Sequence, residues 1–117
     1  MNWKAFNTLE DLEYITEKSS QQPVLIYKHS TRCSVSSLVC SRLEHAWEAD
    51  PMDIQGYFLD LISHREVSNA VEDQFQVRHQ SPQILIIDGG KCIFHCSHLR
   101  ISHRAIKEAL SQTSVQK

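Results

Sequence analysis

The chain has 117 residues, with 12 basic and 14 acidic side chains and a formal net charge of −2. This length favours a single domain over residues 1–117, with a polar, frayed tail from about residue 112. The charge argues against nucleic acid as the main partner, because no basic stripe is available for a phosphate backbone. The chain contains no run of 18 apolar residues that would predict a membrane span, so we expect no membrane partner.

The N-terminus and the cysteines indicate the compartment. The first residues lack the long apolar region of a signal peptide, which favours a cytoplasmic location. The spacing argues against disulfides within neighbouring pairs, because Cα atoms in a disulfide lie about 4.4–6.8 Å apart. Cys33 and Cys40 would be about 10.5 Å apart on a helix, and Cys92 and Cys96 about 13 Å apart on a strand. We therefore expect no disulfide within either pair, which agrees with a reducing compartment.

The apolar pattern predicts the order helix, strand, helix, strand, helix, strand, strand, helix. Thr8 and Asp11 predict a capping box for the first helix, which runs to about Lys18. The later elements are a strand over residues 23–28, a helix over 34–48, a strand over 54–61, a helix from the Ser63–Glu66 capping box to Phe75, a strand over 83–87, an edge strand over 91–97 and a helix over 105–110 capped by Ser102.

Two connections define the sheet. The first strand–helix–strand unit requires a right-handed parallel crossover. Asp88-Gly89-Gly90 is typical of a hairpin turn and therefore requires an antiparallel pair. A four-stranded mixed sheet flanked by helices on both faces satisfies both conditions, so we predict the α/β, thioredoxin-like architecture.

Cys33 is the strongest candidate for a reactive residue. It lies where a predicted strand gives way to a predicted helix, and the free N–H groups and positive dipole end of a helix stabilise a thiolate. Ser36 stands three residues later, where a two-cysteine redox motif has its second thiol. The pattern predicts a one-thiol redox site, and the alternative is an inert buried cysteine at a helix start.

The neighbours of Cys33 could support this chemistry. Ser36 either donates a hydrogen bond to the thiolate or is simply compatible with the first helical turn, and we favour the supporting role. Arg32 either contacts an acidic thiol cofactor or is a solvated loop charge, and Thr31 is equally ambiguous. Lys28 and His29 add positive charge close in sequence.

Pro82 begins a strongly apolar strand, a position that suits a residue without an N–H donor. In the thioredoxin fold this loop carries a cis-proline that faces the reactive cysteine. The peptide before it, here Ser81–Pro82, can pair with the backbone of a bound substrate. We therefore expect a cis bond and a substrate-binding role, and the alternative is an ordinary trans proline.

The other thiols and the histidines have structural interpretations. Cys40 is favoured as a small core residue over a resolving thiol, and Cys92 and Cys96 as packing residues of an edge strand. His95-Cys96-Ser97-His98 has no second matching pair of ligands, so we expect no metal site.

The segment Tyr27–Ser36, together with Ser81-Pro82-Gln83, resembles the YtxJ-type monothiol bacilliredoxins. The resemblance covers nearly the whole length and implies the thioredoxin-like fold. It also implies an enzyme that removes bacillithiol, the glucosaminyl-malate-cysteine thiol of many bacteria, from S-thiolated client proteins. By that implication Cys33 takes up bacillithiol, a co-substrate rather than a bound cofactor, and a second thiol then releases it. Ser34, which we expect to line the thiol-binding site with Thr31 and Arg32, departs from the family motif, in which proline is common at this position.

Two other functions stay open at this point. A thioredoxin-fold redox sensor or adaptor would have a modifiable Cys33 without efficient turnover. A glutaredoxin-like carrier would use Cys33 to ligate a shared iron–sulfur cluster. Such carriers usually have glycine and phenylalanine between the cysteine and the serine, where this chain has Ser34 and Val35.

Overall fold

The computed structural model describes residues 2–116, and the side chains of residues 2–112. A two-residue strand precedes the predicted elements, and a 3-10 helix at His98–Arg100 precedes the last helix. The elements are β1 Lys4–Ala5, α1 Leu9–Lys18, β2 Val24–His29, α2 Ser34–Ala49, β3 Gln55–Asp60, α3 Arg65–Phe75, β4 Gln83–Asp88, β5 Lys91–Ser97 and α4 His103–Gln116.

The strands of the described residues form one sheet in the order β1, β3, β2, β4, β5. β1, β3 and β2 are parallel, whereas β4 is antiparallel to β2 and to β5. The predicted α/β class with a mixed sheet is therefore present, but the predicted number of four strands is wrong. The fifth strand, Lys4–Ala5, pairs with Tyr57 and Phe58 of β3. Two exposed residues are too few to give a periodic signal.

The sheet separates two apolar cores, and β2 contributes to both. Val24 and Ile26 point into the core that α1 and α3 cover, whereas Leu25 and Tyr27 point into the core on the α2 and α4 side. This alternation follows from the two-residue period of a strand. The same alternation places the last two residues of β2, Lys28 and His29, on opposite faces of the sheet, and both are polar.

The helix starts test the predicted caps. At α1 the Asp11 N–H donates to Thr8 Oγ1 over 3.0 Å and the Thr8 N–H donates to Asp11 Oδ2 over 3.1 Å, so the predicted capping box is confirmed. Ser102 Oγ accepts from the Ala105 N–H at the start of α4, as predicted. The capping box predicted at Ser63 is wrong. His64 occupies the cap of α3, and the Ser63 hydroxyl donates to the Asp60 carboxylate instead.

The C-terminus also differs from its prediction. α4 continues to Gln116, past Leu110, where the apolar pattern ended it, and through the residues predicted to be a frayed tail. Lys117 lies outside the described residues. Across the described part of the chain, no helix combines the length and apolar character needed to cross a membrane.

Candidate functional site

Cys33 lies at the N-terminal cap of α2, with φ −114° and ψ 113°. Its carbonyl accepts from the N–H groups of Ser36 at 3.1 Å and Ser37 at 3.4 Å, and its own N–H donates to the Ser30 carbonyl. The Cys33 side chain makes no capping hydrogen bond and is partly exposed. An accessible thiol therefore lies at the N-terminus of a long helix, where unpaired backbone N–H groups and the positive end of the helix dipole are located.

Ser36 is fully buried and joins the reactive loop to β2. Its hydroxyl accepts from the Ser30 N–H over 3.2 Å and lies 2.7 Å from His29 Nδ1. The Tyr27 hydroxyl donates to the Ser36 carbonyl over 2.9 Å. Direct support of the Cys33 thiolate by Ser36 stays a prediction. It requires the His29 tautomer with a proton on Nδ1, which leaves the serine proton free for another acceptor.

His29 and Lys28 do not bring positive charge to Cys33 as their sequence positions suggested, because His29 is neutral and Lys28 points away. Burial lowers the pKa of His29, only partly opposed by the Asp60 carboxylate, so the imidazole is neutral at neutral pH. Its ring packs against Phe58, with 5.0 Å between ring centroids. Among the three basic residues near Cys33, Arg32 alone is exposed.

Lys28 is fully buried and points to the opposite face of the sheet, toward α3. Its ammonium donates to the Ser68 carbonyl over 3.3 Å and lies 3.4 Å from His79 Nδ1. Burial lowers the pKa of Lys28 to about 8, and the Glu72 carboxylate opposes that shift. Burial and the neighbouring ammonium also lower the pKa of His79. No local sequence pattern had indicated this cluster.

Ser81 and Pro82 lie at the start of β4, which is antiparallel to β2. Because Lys28 pairs with Gln83, the preceding Pro82 lies near the end of β2 from which the Cys33 loop departs. The Ser81–Pro82 peptide bond is cis. Pro82 is buried and its carbonyl accepts from the His98 N–H over 3.0 Å. Ser81 Oγ is buried without a hydrogen-bond partner among the described residues.

The remaining predicted site residues lie in the loop and the first turn of α2. Thr31, Arg32 and Ser34 are all exposed. The Arg32 N–H donates to Ser30 Oγ over 3.3 Å, which stiffens the turn before Cys33. The fold therefore brings these residues to the same end of β2 as Ser81 and Pro82.

The other three thiols are poorly suited to chemistry. All four cysteines are free. Burial raises the pKa of Cys40 to about 12, with a further contribution from the Glu44 carboxylate, which accepts from Cys40 Sγ over 3.5 Å. Burial also raises the pKa of Cys96 to about 11 and raises the pKa of Cys92. Since the thiolate is the nucleophile, Cys33 is the accessible thiol best placed to react.

A cavity of about 470 Å³ lies between α2 and the β1–β3 edge of the sheet. Its lining includes Trp3, Asn7, Cys40, Glu44, Phe58 and Asp60. We call it the acidic cavity, and no local sequence pattern had indicated it. It is formed partly by β1, and β1 itself gave no periodic signal.

Solved structures share this architecture. A candidate oxidoreductase with a thioredoxin fold is 22% identical, with a TM-score of 0.78 and coverage of 90% of both chains. The thioredoxin of Trypanosoma brucei brucei is 13% identical, with a TM-score of 0.75, and the match covers 99% of this chain and 93% of that one. The thioredoxin of Fasciola hepatica is 15% identical, with a TM-score of 0.71 and coverage of 93% and 97%. The chain therefore has the thioredoxin fold.

A comparison with protein-family models also identifies the family of the chain. The family model described as monothiol bacilliredoxin BrxC matches residues 4–106. The chain therefore belongs to the monothiol bacilliredoxin family, as its resemblance had indicated. Family and fold together support a thiol–disulfide redox function.

Proposed function

We propose that the protein is a monothiol oxidoreductase that removes bacillithiol from protein mixed disulfides through Cys33. One observation carries the proposal. Cys33 is partly exposed at the N-terminus of α2, whereas burial raises the pKa values of Cys40, Cys92 and Cys96. This arrangement supports a reaction that uses one protein thiol.

In the proposed first step, the Cys33 thiolate attacks the bacillithiol sulfur of the mixed disulfide. A disulfide forms between Cys33 and bacillithiol, the original bond breaks, and the client cysteine leaves as a thiolate. In the second step, the thiolate of free bacillithiol attacks the sulfur of the bound bacillithiol. Bacillithiol disulfide is released, and Cys33 returns as a thiolate. Overall, the client thiol is reduced, one free bacillithiol is oxidised, and both bacillithiol units leave together as the disulfide.

The residues around Cys33 have different binding roles in this proposal. The Ser81–Pro82 backbone pairs with the client chain beside the mixed disulfide. The exposed Arg32 guanidinium pairs with the malate carboxylates of bacillithiol, an interaction that suits a planar donor group. Thr31 and Ser34 offer hydroxyl groups on either side of the thiol. Ser36 positions the loop through its bonds to Ser30 and His29.

Intact mass measurement after brief exposure to bacillithiol disulfide tests the proposal, with glutathione disulfide as the comparison. We expect one bacillithiol adduct on Cys33, which free bacillithiol removes. Absence of an adduct, or loss of two hydrogens through an internal disulfide, contradicts the one-thiol mechanism. An adduct that forms without turnover of a thiolated client indicates a redox sensor instead.

Two cysteine variants separate chemistry from scaffold. Cys33→Ser should abolish removal of bacillithiol from a thiolated client and leave the thermal midpoint close to that of the wild type. Cys40→Ser should retain most of the activity, because the buried Cys40 thiol is largely protonated at neutral pH. Equal loss of turnover in both variants would show that Cys40 resolves the mixed disulfide. Thiol release and circular dichroism measure the two effects.

A further inference from the structure

The acidic cavity lies at the same edge of the sheet as the reactive loop. β1, β3 and β2 are parallel, so their C-terminal ends meet at one edge. Asp60 ends β3, and Asn7 follows β1 by two residues, while the Cys33 loop continues from the end of β2. Ligands of parallel sheets bind at this edge. Along α2, Cys40 lies two turns beyond Cys33, about 10.5 Å away.

The charge of the acidic cavity favours a cation. Glu44 and Asp60 are both partly buried, and neither has an ion-pair partner among the described residues. Glu44 accepts from Cys40 Sγ, and the two Asp60 oxygens accept from the Ile62 N–H and the Ser63 hydroxyl. Each oxygen retains a lone pair for a further donor. None of the described residues that line the cavity is basic.

The aromatic lining also favours a cation with an aliphatic stem. Trp3 and Phe58 pack edge to face, with 5.8 Å between ring centroids. Aromatic faces attract ammonium and guanidinium groups and bury the methylene groups that carry them. The Trp3 indole N–H is buried without a hydrogen-bond partner among the described residues.

We infer that the acidic cavity receives a lysine or arginine side chain of the client protein, close in sequence to the thiolated cysteine. This inference rests on the proposed function and extends it to client selection. The malate end of bacillithiol is excluded from the cavity, because its carboxylates would face Glu44 and Asp60. The separation of about 10.5 Å between Cys33 and Cys40 corresponds to about three residues of extended chain. The basic residue of the client therefore lies within about three positions of its thiolated cysteine.

Three peptides that differ at one position test the inference. Each carries one cysteine as its bacillithiol mixed disulfide, with lysine, alanine or glutamate two or three positions away on either side. We expect kcat/KM to fall from lysine to alanine to glutamate, by about fivefold at each step, as for an ion pair worth about 1 kcal/mol. Glu44→Gln should remove most of the difference, and Glu44→Lys should reverse the order. Glu48→Gln is the matched control, because Glu48 lies one turn further along α2, exposed and outside the cavity.

A binding measurement separates the failure of this inference from the failure of the proposed function. The same peptides, with serine in place of cysteine, are titrated against Cys33→Ser protein, and the fluorescence of Trp3 in the cavity is followed in a Trp47→Phe background. Tighter binding of the lysine peptide, lost in Glu44→Gln, supports the inference even without turnover. Equal affinities and equal rates for all three peptides overturn it, while turnover of the alanine peptide by itself still supports the proposed function.

Discussion

Lys28 is a buried ammonium group whose ionisation opposes folding. Its pKa is about 8 in the folded protein, below the usual value of 10.5. Below pH 8 the group is charged in both states, so the burial cost is fully present. Between pH 8 and 10.5 the unfolded chain retains a proton that the folded chain has released. The cost therefore decreases as the pH rises through this window.

Lys28→Met should therefore stabilise the protein at pH 7. The difference between the two pKa values corresponds to about 3 kcal/mol at most, and loss of the bond to the Ser68 carbonyl offsets part of it. The advantage should shrink as the pH is raised from 8 towards 10. Urea unfolding of both proteins at several pH values measures it. Lys91→Met, at an exposed lysine, is the control. An advantage that does not change between pH 7 and pH 10 would contradict the assignment.

The sequence predicted the residue types of the site better than their surroundings. Cys33 was found because a strand-to-helix junction is a local pattern. The burial of Lys28 was missed because its partners, Ser68 and His79, are 40 and 51 positions away along the chain. No local pattern reports contacts of that separation.

At the scale of an element, Ser36 supplies polar contacts between the start of α2 and the end of β2. Ser36→Ala leaves the Ser30 N–H and His29 Nδ1 without their buried partner, which should cost about 1–3 kcal/mol of unfolding free energy. Ser37→Ala, at the exposed neighbouring position, should change it by less than about 0.5 kcal/mol. Urea unfolding compares the two variants.

The same pair of variants tests whether Ser36 supports the thiolate. If the serine proton reaches Cys33, Ser36→Ala should slow alkylation of Cys33 at neutral pH and shift its pH dependence upward, whereas Ser37→Ala should not. An unchanged profile in Ser36→Ala would restrict Ser36 to holding the loop.

The helix starts show what kind of element can be predicted. Thr8 and Ser102 were identified because a cap depends on residues three positions apart. Ser63 matched the same pattern, but the capping box predicted there was wrong, because its hydroxyl donates to Asp60 at the end of β3. β1 was not predicted from the sequence, because its two exposed residues owe their strand conformation to pairing with β3, more than fifty positions away.

At the scale of the whole molecule, the four thiols should differ sharply in reactivity. Iodoacetamide at neutral pH should add one label to the native protein, at Cys33, because burial raises the pKa values of the other three thiols. In guanidinium chloride all four should react, and native Cys33→Ser should take up almost no label. Mass spectrometry counts the labels. A native label on Cys40 at a comparable rate would contradict the structure.

The burial of these three thiols also determines the kinetic order of the proposed cycle. A two-cysteine enzyme releases its adduct in a unimolecular step, whose rate does not depend on the concentration of free thiol. Here the adduct on Cys33 leaves only when another molecule collides with it, so its lifetime is inversely proportional to the concentration of reduced thiol. The fraction of the protein that carries the adduct then reports the supply of that thiol.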